Sequence, residues 1–227
     1  MNPWLWKIIL NFFVLPFRPR KSAKLYERIW DGKSFPLITN TRDFTQSVRK
    51  ELKNIDHEGH VEVNHAFLLS PPYVNEVYDS WEDDLKKGVG ATKLLVIPMF
   101  PQYSESTIAS GIDALAKELS KRVKIPTFEV ITNFHRTHAF IDNSVNQVDE
   151  KLDELTKQGK KIDSLIITFH GMQKRRIVNK GDDYYRHCYE TFCLITNNLK
   201  NIRPEQCFMS FQSRFGSEEW ITPYTED

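Results

Sequence analysis

The feature that most constrains this chain is the alternation of short apolar runs with longer amphipathic stretches. Short apolar runs suit strands buried in a sheet, and stretches with a helical apolar period suit helices laid across it. Strands are predicted over 61–69, 93–99, 126–131, 164–170 and 206–210, and helices over 73–87, 106–122, 139–158 and 184–200. In 106–122, Ile108, Ile112, Leu115 and Leu119 share one helical face, and Ile141, Val145, Val148, Leu152 and Leu155 do the same in 139–158. Gly88, Gly90 and Gly159 fall between a helix and the next strand, where a left-handed cap is needed. The pattern predicts an α/β fold, parallel sheets flanked by helices. The connection 159–163 is the expected place for one α/β unit to give way to the next.

Charge and cysteine usage narrow the function. Lysine plus arginine (31) nearly balances aspartate plus glutamate (30), which excludes the strong basic excess of a nucleic-acid binder. Cys188, Cys193 and Cys207 are odd in number and form no CxxC pair, so neither a disulfide framework nor a thiolate zinc site is indicated. Free thiols fit a reducing cytoplasm.

The N-terminal stretch 4–17 is strongly apolar, but Lys7 and Asn11 interrupt it and Pro16 stops it. It is shorter than the roughly 20 apolar residues of a membrane span. Its charges, Arg18, Arg20 and Lys21, follow the apolar stretch, the reverse of a secretory signal. A helix is expected here, buried against the domain or lying on a bilayer surface.

An open α/β sheet binds ligands at the carboxyl ends of its strands. Three strand ends carry candidate chemistry. After 94–97, Pro98 and Pro101 break the strand, and Ser104, Ser106 and Thr107 offer caps for the next helix. After 165–169, His170 and Gly171 arrive at the ligand-binding edge. A neutral imidazole there suits a divalent metal or a proton in transfer. The basic residues Lys174, Arg175 and Arg176 follow, either attracting carboxylates or forming a solvated loop. The third segment, 208–225, is rich in aromatic and hydrogen-bonding groups and suits a lined pocket or a packed connection. His135 and His138 have a metal-compatible spacing without a carboxylate partner at helical distance, and His57, His60 and His65 read as surface or strand residues. No Gly-rich phosphate loop, GxSxG elbow or HExxH sequence is present.

These segments resemble the ferrochelatase family, in the family's own order. Arg18 and Arg20, Tyr26, Ile29, Trp30, Ser34 and Pro36 are similar to its porphyrin-side lip. Pro101, Gln102, Tyr103, Ser104, Ser106 and Thr107 match its PQYSxST segment. Phe169, His170 and Gly171, then Gly181, Asp182, Tyr184, Cys188 and Thr191, resemble the stretch around its catalytic histidine. Phe211 to Gly216, Trp220, Pro223 and Tyr224 resemble its SFQSRFG…WLxPYT segment.

The resemblance implies a Rossmann-like chelatase fold, with residues 1–160 as the first domain and 161–227 as the start of a second carrying His170. It implies insertion of ferrous iron into protoporphyrin IX in haem biosynthesis. His170 would act as the metal ligand or the base that removes pyrrole protons. Arg18, Tyr26, Ser34 and Tyr103 would contact the porphyrin. No cofactor beyond the iron substrate, no iron–sulfur cluster and no nucleic acid is expected. The location implied is cytoplasmic, with the apolar N-terminal segment touching the membrane.

The family's opening LLxNLGTP region and its downstream glutamate have no counterpart in this sequence, so an incomplete chelatase is expected. Gln173 and Asp183 stand where prolines are common, and 65–72 lacks the usual arginine-tyrosine pattern. The alternatives are a non-catalytic porphyrin- or haem-binding remnant and a fold that is unstable alone because a missing strand exposes a sheet edge.

Overall fold

The computed structural model describes residues 4, 7–8, 10–16, 18–55, 59–88 and 92–227. The chain divides into two compact units, Met1–Ala91 and Thr92–Asp227. Gly90 and His57 lie outside the described residues.

The first unit is helical: α1 (Arg18–Tyr26), α2 (Pro36–Asn54) and α3 (Val74–Lys86). Only α3 is predicted by the apolar pattern. Pro36 opens α2, where its missing N–H is no loss. The inward stripe of α2 is Ile38, Thr41, Thr45, Val48 and Leu52, so threonines dilute its apolar period. Their hydroxyls are satisfied within the helix: Thr41 Oγ1 donates to the Leu37 carbonyl at 2.7 Å and Thr45 Oγ1 to that of Thr41 at 2.8 Å.

The strand expected at 61–69 is not formed among the described residues. A single bridge, Phe67 to Tyr73, is its only ladder contact. Side chains of α2 hold the segment instead. Arg49 Nε donates to the Val63 carbonyl at 2.6 Å, Arg49 Nη2 to Asn64 Oδ1 at 2.8 Å, and His65 Nδ1 lies 3.0 Å from Thr45 Oγ1. Alternating apolar residues therefore mark an extended tether here.

The N-terminal apolar stretch differs from its buried reading. Residues Leu10–Val14 form a wide helical turn, and the side chains of Trp4, Ile8, Phe12 and Leu15 are exposed. Among the described residues no helix is long and apolar enough to cross a membrane.

The second unit holds two parallel strand pairs flanked by helices. Strand β1 (Lys93–Val96) pairs with β2 (Thr127–Val130), linked by a helical turn over Glu105–Ala109 that runs into α4 (Ser110–Leu119). Strand β1 ends before Pro98, which has no N–H to offer a ladder. Helix α5 (His138–Lys157) follows β2 and leads to β3 (Leu165–His170). After β3 come α6 (Lys174–Lys180), α7 (Tyr184–Thr196) and β4 (Cys207–Gln212), which pairs with β3 from Leu165–Cys207 to His170–Gln212.

The core lies under β3 and β4. Leu165, Ile167 and Phe169 each pack into a separate cluster. These centre on Leu152, Ile202 and Cys207; on Ile141, Val145 and Ile195; and on Met172, Cys188, Phe211 and Ile221. The predicted faces of α4 and α5 are the buried ones: Ile108, Leu115, Leu119, Ile141, Val145 and Leu152 are all sequestered. Gly88 and Gly159 take the expected left-handed conformation at φ +80° and +74°. The boundary expected at 160 falls inside this unit, where α5 packs on α7 across it.

Phe208 and Phe211 sit on one strand with opposite fates, 54% and 1% exposed. Phe211→Ala is expected to cost roughly 3–5 kcal/mol in urea unfolding, and Phe208→Ala far less. Equal losses would contradict the placement of the core.

Candidate functional site

Strand β3 alternates, so that Ile166, Thr168 and His170 lie on its open face while its other residues enter the core. His170 is the last residue of the strand and is exposed. Its Nδ1 lies 2.8 Å from the Gly171 carbonyl. A carbonyl only accepts, so Nδ1 carries a proton, and in the neutral ring Nε2 keeps its lone pair. This is the arrangement in which backbone orients an imidazole for a metal or a proton.

The turn that holds His170 requires glycine next. Gly171 N donates to the Gln212 carbonyl at 2.7 Å, and a Cβ at 171 would stand 2.8 Å from that oxygen and 3.1 Å from the Trp220 ring. Tyr184 clamps the other side by donating its hydroxyl to the His170 carbonyl at 3.0 Å. Burial pushes the Tyr184 phenol well above its usual range, so it stays a donor. Burial also pushes the neighbouring Cys188 thiol up to about 12, which keeps it protonated and unreactive.

The second strand end is fastened to this one by Asp182. The buried carboxylate accepts from the Glu105 amide at 2.7 Å with Oδ2 and from the Tyr184 amide at 2.9 Å with Oδ1. Two further bonds run from the same segment to α7. The Tyr103 amide donates to His187 Nδ1 at 3.1 Å, and Gln102 Nε2 donates to Thr191 Oγ1 at 3.1 Å. Of the three predicted caps, Ser104 is the one used, its Oγ accepting from the Ser106 amide at 3.1 Å.

Charges reinforce the node. Glu105 pairs with Lys180 at 2.9 Å and Arg176 at 3.0 Å, and the Lys180 hydrogen bond is the chief cause that holds its carboxyl below the usual range. The basic cluster after His170 is therefore a helix, α6, paired with acids of the chain. Lys174 meets Glu219 and Arg175 meets Glu218, both at 2.7 Å. The segment 208–225 is a packed connection: Trp220 bridges to Gln173, Tyr224 bridges to Phe211, and Ile221 is buried.

His170 and Tyr103 belong to the second unit, and the Tyr103 ring is half-buried. Arg18, Tyr26 and Ser34 belong to the first. The Arg18 side chain lies outside the described residues. Tyr26 and Trp30 both meet Phe35 edge-on, at 5.7 and 4.8 Å, and Asp31 Oδ1 accepts from the Ser34 amide at 2.6 Å. His135 and His138 do not share a site. His138 is exposed at the start of α5, whereas His135 is buried against Glu190, 2.8 Å from Nε2. Among the described residues no three His, Cys, Asp or Glu side chains converge as a metal site.

The family model described as "Ferrochelatase" matches residues 1–227. The ferrochelatase of Idiomarina loihiensis is 36% identical over 222 residues, which are 98% of this chain and 58% of the relative. That of Francisella tularensis subsp. tularensis is 34% identical over 227 residues, 99% of this chain and 64% of the relative. That of Actinobacillus pleuropneumoniae serotype 7 is 35% identical over 222 residues, covering 98% and 64%. The chain thus spans less than two thirds of the length of these curated relatives.

Removing the Asp182 carboxylate leaves two amides of different segments without acceptors. Asp182→Ala is expected to lose about 1.5–3 kcal/mol in urea unfolding. Asp183→Ala, on the exposed neighbour, is expected to lose less than about 1 kcal/mol. The reverse order would contradict the bridging role.

Proposed function

Because the chain belongs to the ferrochelatase family, we propose that it acts in haem biosynthesis as a metal chelatase, inserting ferrous iron into protoporphyrin IX. The observation that carries this reading is His170. A strand end delivers its imidazole to open solvent with Nδ1 tied to backbone, leaving Nε2 the atom with a free lone pair.

Insertion of a divalent metal requires two pyrrole protons to leave. Nε2 of His170 accepts a proton from the macrocycle or ligates the incoming iron, and the Gly171 carbonyl holds the ring in the tautomer that either role requires. Tyr184 and Gly171 fix the backbone that carries the imidazole, which limits the reorganisation left for the reaction. By resemblance we assign porphyrin contact to Arg18, Tyr26, Ser34 and Tyr103, and no cofactor beyond the iron substrate.

A cytoplasmic location is part of the same reading, supported by three free cysteines. Peripheral contact with a bilayer is supported by the exposed apolar side chains of Trp4, Ile8, Phe12 and Leu15. An apolar anchor of that kind would place the chain where a hydrophobic porphyrin partitions.

Zinc insertion into protoporphyrin, followed by product fluorescence, tests the proposal. Turnover above background is expected for the purified chain. In His170→Ala it is expected to fall at least about 100-fold, with the porphyrin Soret shift retained. A folded chain that binds porphyrin without turnover would overturn the catalytic reading.

A further inference from the structure

We propose that His187 is a positioning residue: as a neutral base it fastens the Tyr103 amide to α7, and its protonation releases that amide. The inference rests on the chelatase reading only for its consequence, since Tyr103 belongs to the segment assigned to the porphyrin.

His187 is 3% exposed, and its Nδ1 accepts the Tyr103 amide at 3.1 Å. Because Nδ1 accepts, the neutral ring carries its one proton on Nε2, which stands 3.3 Å from Arg186 Nη2. A second proton can enter only at Nδ1, where it displaces the Tyr103 amide. The flat face of the ring is occupied as well. His135, 2% exposed, stacks on it at 3.9 Å with the planes 19° apart. His135 directs Nε2 at the Glu190 carboxylate, 2.8 Å away, and Nδ1 at Asn133 Oδ1, 3.1 Å away.

The surrounding charges divide. His135 and Arg186 oppose a proton on His187, whereas Asp183 and Glu190 favour one. Asp183 and Glu190 are themselves engaged by Arg186 at 2.9 and 3.1 Å, and Arg136 stands 3.9 Å from Glu190. Burial is the leading cause and places His187 below the ordinary histidine value of 6.5. A histidine depressed in the folded state binds its proton more readily when unfolded. Its contribution is therefore complete above about pH 6.5 and is lost as pH falls through the lower folded value.

Glu105 and Thr191 hold the same segment through groups other than a histidine ring: the Glu105 amide meets Asp182, and Thr191 receives Gln102. Release at low pH is therefore confined to the Tyr103 amide.

Amide hydrogen exchange on the ¹⁵N-labelled full chain tests this. The protection factor of the Tyr103 amide is expected to fall about tenfold between about pH 7.5 and about pH 5. His187→Asn places an amide oxygen near the position of Nδ1 and cannot titrate in that range, so its protection is expected to stay flat. His187→Ala is expected to be unprotected at both values. An equal fall in His187→Asn and the native chain, or full protection in His187→Ala, would overturn the proposal. Protoporphyrin titration separates the two readings: weakening at low pH in the native chain but not in His187→Asn supports the positioning role. No porphyrin binding at either pH, with the amide response intact, contradicts the chelatase reading and leaves the Tyr103 release standing.

Discussion

The second unit depends on one carboxylate. Asp182 accepts from the Glu105 amide with one oxygen and from the Tyr184 amide with the other. The first bond anchors the loop that leaves β1. The second starts α7 at the residue whose hydroxyl clamps the His170 carbonyl. A buried carboxylate with both oxygens satisfied by backbone amides is a strong and directional tie. Two strand ends that share no ladder are thereby fixed to one helix start.

Glycine and aromatic packing complete the hold on His170. Any side chain at 171 would meet the Gln212 carbonyl, and Trp220 closes the space beyond it. The connection that carries Trp220 is itself bound to β4, since the Phe211 amide donates to the Pro223 carbonyl at 2.8 Å. The imidazole is thus exposed in its ring and constrained in its backbone. This combination leaves the ring open to solvent on a fixed stem.

Strand β3 and helix α5 of the second unit were legible because their apolar residues turn inward at strand and helix spacing. Leu165, Ile167 and Phe169 alternate inward, and Ile141, Val145 and Leu152 repeat at helical spacing. His170 was legible for the same reason, as the polar residue that ends a buried strand. Helix α2 was not, because threonines occupy two positions of its inward stripe and bond back to their own helix. Helix α6 was not, because ion pairs to Glu105, Glu218 and Glu219 hold it where an apolar stripe would have marked it. The node itself was hidden by distance along the chain. Its bonds join residues 77, 84 and 89 positions apart, and local pattern carries no trace of such pairings. The buried pair of His135 and Glu190, 55 positions apart, escaped for that reason too.

The proposed chelatase role has His170 offering Nε2 to a porphyrin and its metal. Long-range ¹H–¹⁵N spectra of the labelled imidazole test it most directly. The Nδ1–H tautomer is expected in the neutral ring, with an Nε2 resonance that shifts when protoporphyrin and zinc are added together. A resting Nε2–H tautomer, or an Nε2 signal indifferent to both additions in a folded chain, would contradict it.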